Sequence, residues 1–207
     1  MVEPKQERAL RTRNRLVRAA AEEFDAHGFA GSNVSGIVKR AGMTLGAMYF
    51  HFPSKEALAL EVMNSQSAVV EPLLDSEGLQ RLVDITLVWS HVLRVDPLLR
   101  AGVRLAVEQG GFGLRDETSF AGWKATMTEV LETARRRGEL LEGVVPADVA
   151  EFVVGACTGT QLYSHLAADR ADLTERIVRM WRYLLPGIAV PEAAAAIDLD
   201  PRRGKED

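Results

Sequence analysis

Apolar residues recur at helical spacing through almost the whole chain, and this narrows the fold more than any other feature. The repeat alternates three and four residues, which gathers side chains on one face of an α-helix. Leu16, Ala20 and Phe24, with Val17 and Ala21 beside them, make one such stripe. Phe120, Trp123, Met127, Val130/Leu131 and Ala134 make a second, and Val149, Phe152/Val153, Ala156, Thr160 and Tyr163 a third. Ile177, Met180/Trp181 and Leu184/Leu185 make a fourth. Clear strand alternation appears nowhere, so the spacing predicts an all-α fold.

Punctuating residues divide this helical chain. Gly28 supplies a stop for the first helix, and Ser32 or Asn33 is placed to cap a second over 34–41, which Gly42 ends. Thr44 caps a very short third helix through about His51, and Pro53-Ser54 breaks the chain before a longer helix from Lys55 toward Val70. Further helices are expected near 77–94, 97–108, 120–137, 146–167 and 173–185. Gly110-Gly111-Phe112-Gly113 reads as a connector. The expected organisation is a three-helix head over 1–54, a helical body over 55–192 and a flexible, Ala-rich then charged tail over 193–207. A chain of 207 residues can bury a sizeable core in one large domain or in a small and a medium one.

Charge is divided along the same line. Residues 1–57 carry nine Lys/Arg against six acids, whereas the remainder carries sixteen against twenty-three. A basic head on an acidic body suits a head that meets a polyanion, although bases at 5–18 also suit one solvated helix face. Arg15 and Arg18 are read as solvated or salt-bridged. The single cysteine, Cys157, rules out an intramolecular disulfide framework. No apolar run approaches a membrane span, and the charged N-terminus lacks the apolar stretch of a secretory signal, so a cytoplasmic protein without membrane contact is expected.

Residues 33–51 have the layout of a helix-turn-helix, in which the second helix enters the major groove and the first braces it. A groove-reading helix needs small or polar residues outward and apolar ones inward. Thr44, Gly46, Ala47, Tyr49 and His51 fit the outward set, with Met48, Phe50 and Phe52 expected to anchor the head's core. Tyr49 and His51 also suit structural roles. An enzyme is disfavoured: the four histidines have no metal-ligand spacing, Cys157 has no evident base, and the glycine run lacks the lysine and strand of a phosphate loop. No cofactor or metal is called for.

The combination Phe24, Gly28-Phe29, Val34-Ser35-Gly36-Ile37-Val38, Ala41-Gly42-Met43-Thr44, Gly46 to Phe52 and Ser54-Lys55-Glu56-Ala57-Leu58 resembles the TetR family of repressors over the first sixty residues. The resemblance implies phosphate contacts from Tyr49, His51 and Lys55, and base or groove contacts from Ser35, Thr44, Gly46 and Ala47. It also implies an N-terminal arm whose Lys5, Arg8, Arg11 and Arg13 reach phosphates or the minor groove. Leu45 stands where family members often carry lysine, so the operator contacts at this point depart from the family pattern.

The body resembles the γ-butyrolactone receptor subgroup in the stretches 99–106, Phe120 with Trp123, 138–141 and 185–191. That resemblance implies a repressor released from a pseudo-palindromic double-stranded operator by a small lactone signal that controls antibiotic production. It places Trp123 and Gln66 at the ligand. The alternative for Trp123 is ordinary core on the Phe120/Met127 face. Thr158 and Thr160, within Gly155–Gln161, supply hydroxyls to a pocket or permit close packing at a dimer interface. Trp89 and Tyr163 are further pocket candidates. A homodimer is expected through 146–167 and 173–185, with Met180 and Trp181 as anchors. The alternative is a repressor of the same family that answers an antibiotic or an efflux substrate.

Overall fold

The computed structural model describes residues 5–70 and 74–203, and of Lys5 only the backbone. Among the described residues the structure is helical, with one isolated antiparallel bridge, Leu140 to Ala189, and no strand. Packing divides the chain into two units, Met1–Gln66 with Asp96–Ser119, and Ser67–Val95 with Phe120–Asp207.

In the first unit, α1 (Lys5–Gly31) packs against α2 (Val34–Ala41), α4 (Lys55–Asn64) and α7 (Pro97–Glu108), and α3 (Leu45–His51) packs against α2. The predicted stripe is the core: Leu16, Ala20 and Phe24 are fully buried, together with Ile37, Met48, Leu58 and Val62 from α2, α3 and α4. Gly28 does not end α1 outright. It breaks the helix at φ 67°, ψ 178°, conformations open to glycine, and one further turn follows. Asn33 caps α2, its side chain accepting from the Gly36 amide at 2.8 Å, while Ser32 is buried and donates to the Phe29 carbonyl. At the other end Gly42, at φ 61°, ψ 41°, closes a Schellman turn: its N–H reaches Lys39 O, and the Met43 N–H reaches Val38 O.

The head therefore does not stop at Ser54 in packing terms. Leu58, Ala59, Val62 and Met63 of α4 are all buried, and α7 returns from residue 97 to cover both α1 and α4. Asp96 caps α7 by accepting from the Leu98 and Leu99 amides at 2.7 and 3.0 Å, with Pro97 in its first turn. Arg100 then forks onto Asp25 of α1, with its Nε and Nη2 contacts at 2.7–3.1 Å. A short 3-10 turn, Gln109–Phe112, follows and stacks Phe112 on Phe29 with centroids 3.9 Å apart.

In the second unit, α6 (Gly78–Val95) packs against α10 (Leu173–Ile188) and the four-residue α5 (Ser67–Val70), and α10 packs against α9 (Pro146–Ala168) and α11 (Pro191–Ala196). Helix α8 (Thr118–Arg136) buries Met127, Leu131 and Ala134, three positions of the predicted stripe. Trp181, expected as a dimer anchor, is instead fully buried, and its indole N–H donates to Thr86 Oγ1 at 2.7 Å. Within the segment expected as a flexible tail, residues 198–203 are held against α6. The Asp198 amide donates to Gln80, His91 Nε2 lies 2.6 Å from the Pro201 carbonyl, and Arg203 forks onto Asp84 at 2.8 and 2.9 Å.

Candidate nucleic-acid interface and ligand-facing residues

The helix-turn-helix geometry follows from two caps. Gly42 turns the chain after α2, and Thr44 restarts it, its Oγ1 accepting from the Ala47 amide at 3.2 Å. Met48 and Phe52 are buried and seat α3, as expected. Ser35, Thr44, Leu45, Gly46 and Tyr49 are exposed, and Ala47 and His51 are half-buried. A Cβ at Gly46 would meet nothing within 4 Å, so backbone or a base edge can approach closely there. Phe50 corrects the sequence reading: it is 83% exposed, pointing outward with its ring edge-on to His51 at 5.2 Å. A seven-residue helix seats two large side chains beneath it, and those places belong to Met48 and Phe52.

The cationic candidates separate into two groups. Arg8 and Arg11 are exposed and line an open groove with Arg15, Arg18, Thr12, Asn14 and Met43. Arg15 reaches over the turn of the motif, with Nη2 2.8 Å from where a Gly42 Cβ would stand. The sequence reading set Arg15 and Arg18 aside. Their spacing carried the signal, since 8, 11, 15 and 18 fall on one helix face. Arg13 lies on another face: it pairs with Glu61 of α4 and stacks over the Phe52 ring at 5.0 Å. Lys55 is also engaged within the unit, its ammonium donating to the Phe29 and Ser32 carbonyls and resting 4.2 Å from the Phe29 ring centroid. Partial burial lowers its pKa below the usual lysine value. The phosphate roles expected of Arg13 and Lys55 thus compete with partners already made. The side chain of Lys5 lies outside the described residues.

The ligand candidates also part company. Gln66 is buried in the first unit, its Nε2 donating to Met63 O at 2.9 Å. Its Cγ would stand 2.8 Å from a Cβ at Gly102, so it fills the space that glycine leaves between α4 and α7. In the second unit Trp123 is half-buried and Trp89 buried. Thr158 and Thr160 are half-buried, and the Thr158 hydroxyl turns back to Val154 O at 2.8 Å. Tyr163 does not face inward: it is 62% exposed beneath the Arg176 guanidinium, 4.4 Å from the ring centroid. It shares the outer surface of α9 with Phe152, Leu162 and Leu166, and with Gly155 and Gly159, where a Cβ would meet nothing. The inward stripe is Ala150, Val153, Cys157, Gln161 and Ser164. Burial pushes the Cys157 thiol up to about 12, which leaves it a neutral, inert packing group.

Among the described residues no cluster of His, Cys, Asp or Glu could hold a metal ion, and no helix is long and apolar enough to cross a membrane.

Residues 16–62 match the family model described as bacterial regulatory proteins, tetR family. The chain is 38% identical over 198 residues to an A-factor receptor protein from Streptomyces griseus, covering 96% of this chain and 71% of that relative. The crystal structure of TylP, a TetR regulator from Streptomyces fradiae, superposes with a TM-score of 0.87 at 39% identity, covering 95% of both chains. A γ-butyrolactone receptor described as ArpA-like superposes with a TM-score of 0.71 at 30% identity, covering 97% of this chain and all of the other.

Proposed function

The chain belongs to the TetR family of bacterial regulatory proteins, and on that premise we propose that it is a repressor released from its operator by a small γ-butyrolactone-type signal that controls antibiotic production. The observation that carries the DNA half is the outward face of α3. Leu45, Gly46 and Tyr49 stand exposed there beside Thr44, next to a groove lined by four arginines. Base edges are met by Thr44, Gly46 and Ala47, with Ser35 on the bracing helix and Leu45 in place of a cation. Tyr49 and His51 flank them at the backbone. Arg8 and Arg11, with Lys5 before them, neutralise phosphates and release counterions, and Arg15 and Arg18 join that set. Arg13 and Lys55 enter as braces that hold α4 to the head.

One short recognition helix reads few base pairs, so two chains on a pseudo-palindromic double-stranded site are required for specificity. The exposed apolar surface of α9 is the proposed homodimer face. Residues 1–54 form the DNA-reading domain and 55–192 the effector-binding and dimerisation domain, with Trp123, Trp89, Thr158 and Thr160 on the effector side. The lactone class is supported by similarity to the A-factor receptor over nearly the whole chain. The effector favours a conformation in which α4 carries the heads out of register with the two half-sites. In this reading the protein acts on DNA in the cytoplasm and catalyses no reaction.

A mobility-shift titration on the DNA upstream of its own gene tests this reading. Retarded DNA released by synthetic butyrolactones is the expected result. No retarded complex sinks the repressor reading, whereas a complex indifferent to lactones but released by an antibiotic replaces the effector class.

A further inference from the structure

The outward face of α3 is apolar. Between Leu45 and His51 the helix carries no Asp, Glu, Lys or Arg, and the large side chains at its surface are Leu45, Tyr49 and Phe50, the last 83% exposed. Gly46 and Phe50 each stand two residues from buried Met48, about 160° around the helix, so both lie on the side away from the head's core. A Cβ at Gly46 would meet nothing within 4 Å, and side chains on a helix lean toward its N-terminus. The Phe50 ring and the bare Gly46 backbone one turn before it thus frame a shallow apolar notch. The His51 ring meets the Phe50 ring edge-on at 5.2 Å, which narrows the orientations Phe50 can take. The cations lie to one side: Met43, next to the α3 cap Thr44, lines the groove of Arg8, Arg11, Arg15 and Arg18.

Resting on the repressor reading above, we infer that Phe50 determines operator specificity by packing on the 5-methyl group of a thymine that enters the notch beside Gly46. In the major groove every base pair offers hydrogen-bonding atoms, and thymine alone adds an apolar group. A ring without a polar atom desolvates a donor or acceptor at a cost, whereas a methyl group gives it apolar surface to bury. The arginines beside α3 meet phosphates, which carry no sequence information directly. The half-site facing α3 therefore holds a thymine that is read through its methyl group, with no hydrogen bond from Phe50 at that contact.

The test uses the DNA upstream of the protein's own gene with single thymines replaced by uracil, which removes the methyl group and leaves base pairing intact. Mobility-shift titrations compare wild type with Phe50→Ala. Wild type is expected to bind about fourfold more weakly when the contacted thymine of one half-site becomes uracil, the contribution of one buried methyl group. Substitution in both half-sites is expected to weaken binding on the order of 15-fold, since separate positions act nearly additively. Phe50→Ala is expected to bind the thymine and uracil operators equally and to keep the wild-type salt slope, because no cation is lost. Its helical spectrum is expected to match wild type, the side chain being at the surface. A wild type indifferent to uracil at every thymine overturns the inference, as does a Phe50→Ala variant that keeps the full uracil effect. If no complex with the DNA forms, the repressor reading itself fails; a complex with a flat uracil profile removes only the role of Phe50.

Discussion

Lys55 illustrates how one side chain can be legible in type while partners inside the fold compete for its role. The motif Ser54-Lys55-Glu56 marks the start of α4, and the resemblance assigns its lysine to a phosphate. In the fold the ammonium instead ties α4 to the Phe29 and Ser32 carbonyls. Lys55→Ala is expected to lower unfolding stability by about 2 kcal/mol, the usual worth of charge-assisted hydrogen bonds. Its operator binding is expected to keep the wild-type salt slope. Arg8→Ala is expected to do the reverse, leaving stability unchanged and reducing the slope of log affinity against log salt by roughly one. Equal slopes for wild type and Arg8→Ala, or a reduced slope for Lys55→Ala, would exchange the two roles. Cys157 permits a third test at this scale: with its thiol raised to about 12, iodoacetamide at pH 8 is expected to spare the folded protein and to label it in denaturant. Phe50 was not legible, because in a helix this short the burial of Met48 and Phe52 decides which aromatic is left outside.

At the scale of elements, periodicity and caps located nearly every helix. Asn33, Thr44, Ser54 and Asp96 stand at N-caps, and Gly42 stands at a C-cap. What periodicity does not contain is which stripe meets which, and so the return of α7 to the head's packing had no local signal. The tail had none either, since a charged segment looks frayed until its acceptor is known. That acceptor is Asp84. Burial by itself would push its carboxyl up, but hydrogen bonds from Arg203, Ser76 and Gln80 outweigh this and hold it below the ordinary aspartate value. A carboxylate with a depressed folded pKa contributes stability above its unfolded pKa and loses it as pH falls through the folded one. Asp84→Asn is therefore expected to be less stable than wild type by about 2 kcal/mol at pH 7, with the gap closing below roughly pH 4. Urea titrations at several pH values measure this; a gap constant with pH would mean that Asp84 acts through packing and not through charge.

At the scale of the whole molecule, the sequence places a dimer interface on two helices with Trp181 among its anchors, but this side chain is buried within its own unit, because a buried and an outward tryptophan share the same helical period. With Trp181 committed to the core, the outer face of α9 carries Phe152, Leu162, Tyr163 and Leu166 around Gly155 and Gly159, and Tyr183 on α10 is likewise exposed. Glycines with open space above them let a second helix approach closely, and Leu166 at 84% exposure has little reason to be leucine in a lone chain. A charge placed there loses water on association without gaining a partner, and in a two-fold interface the same charge arrives from both chains. Leu166→Glu is accordingly expected to sediment as a monomer with an unchanged helical spectrum. Each head would then find its half-site alone, without the linkage that makes the second contact nearly intramolecular, and operator affinity should fall on the order of 100-fold or more. Helicity separates this outcome from unfolding, and Tyr183→Glu, from the neighbouring helix, provides a second perturbation. If both variants remain dimers with wild-type operator affinity, the two-fold contact lies elsewhere on the body and the outer face of α9 must answer to a different partner.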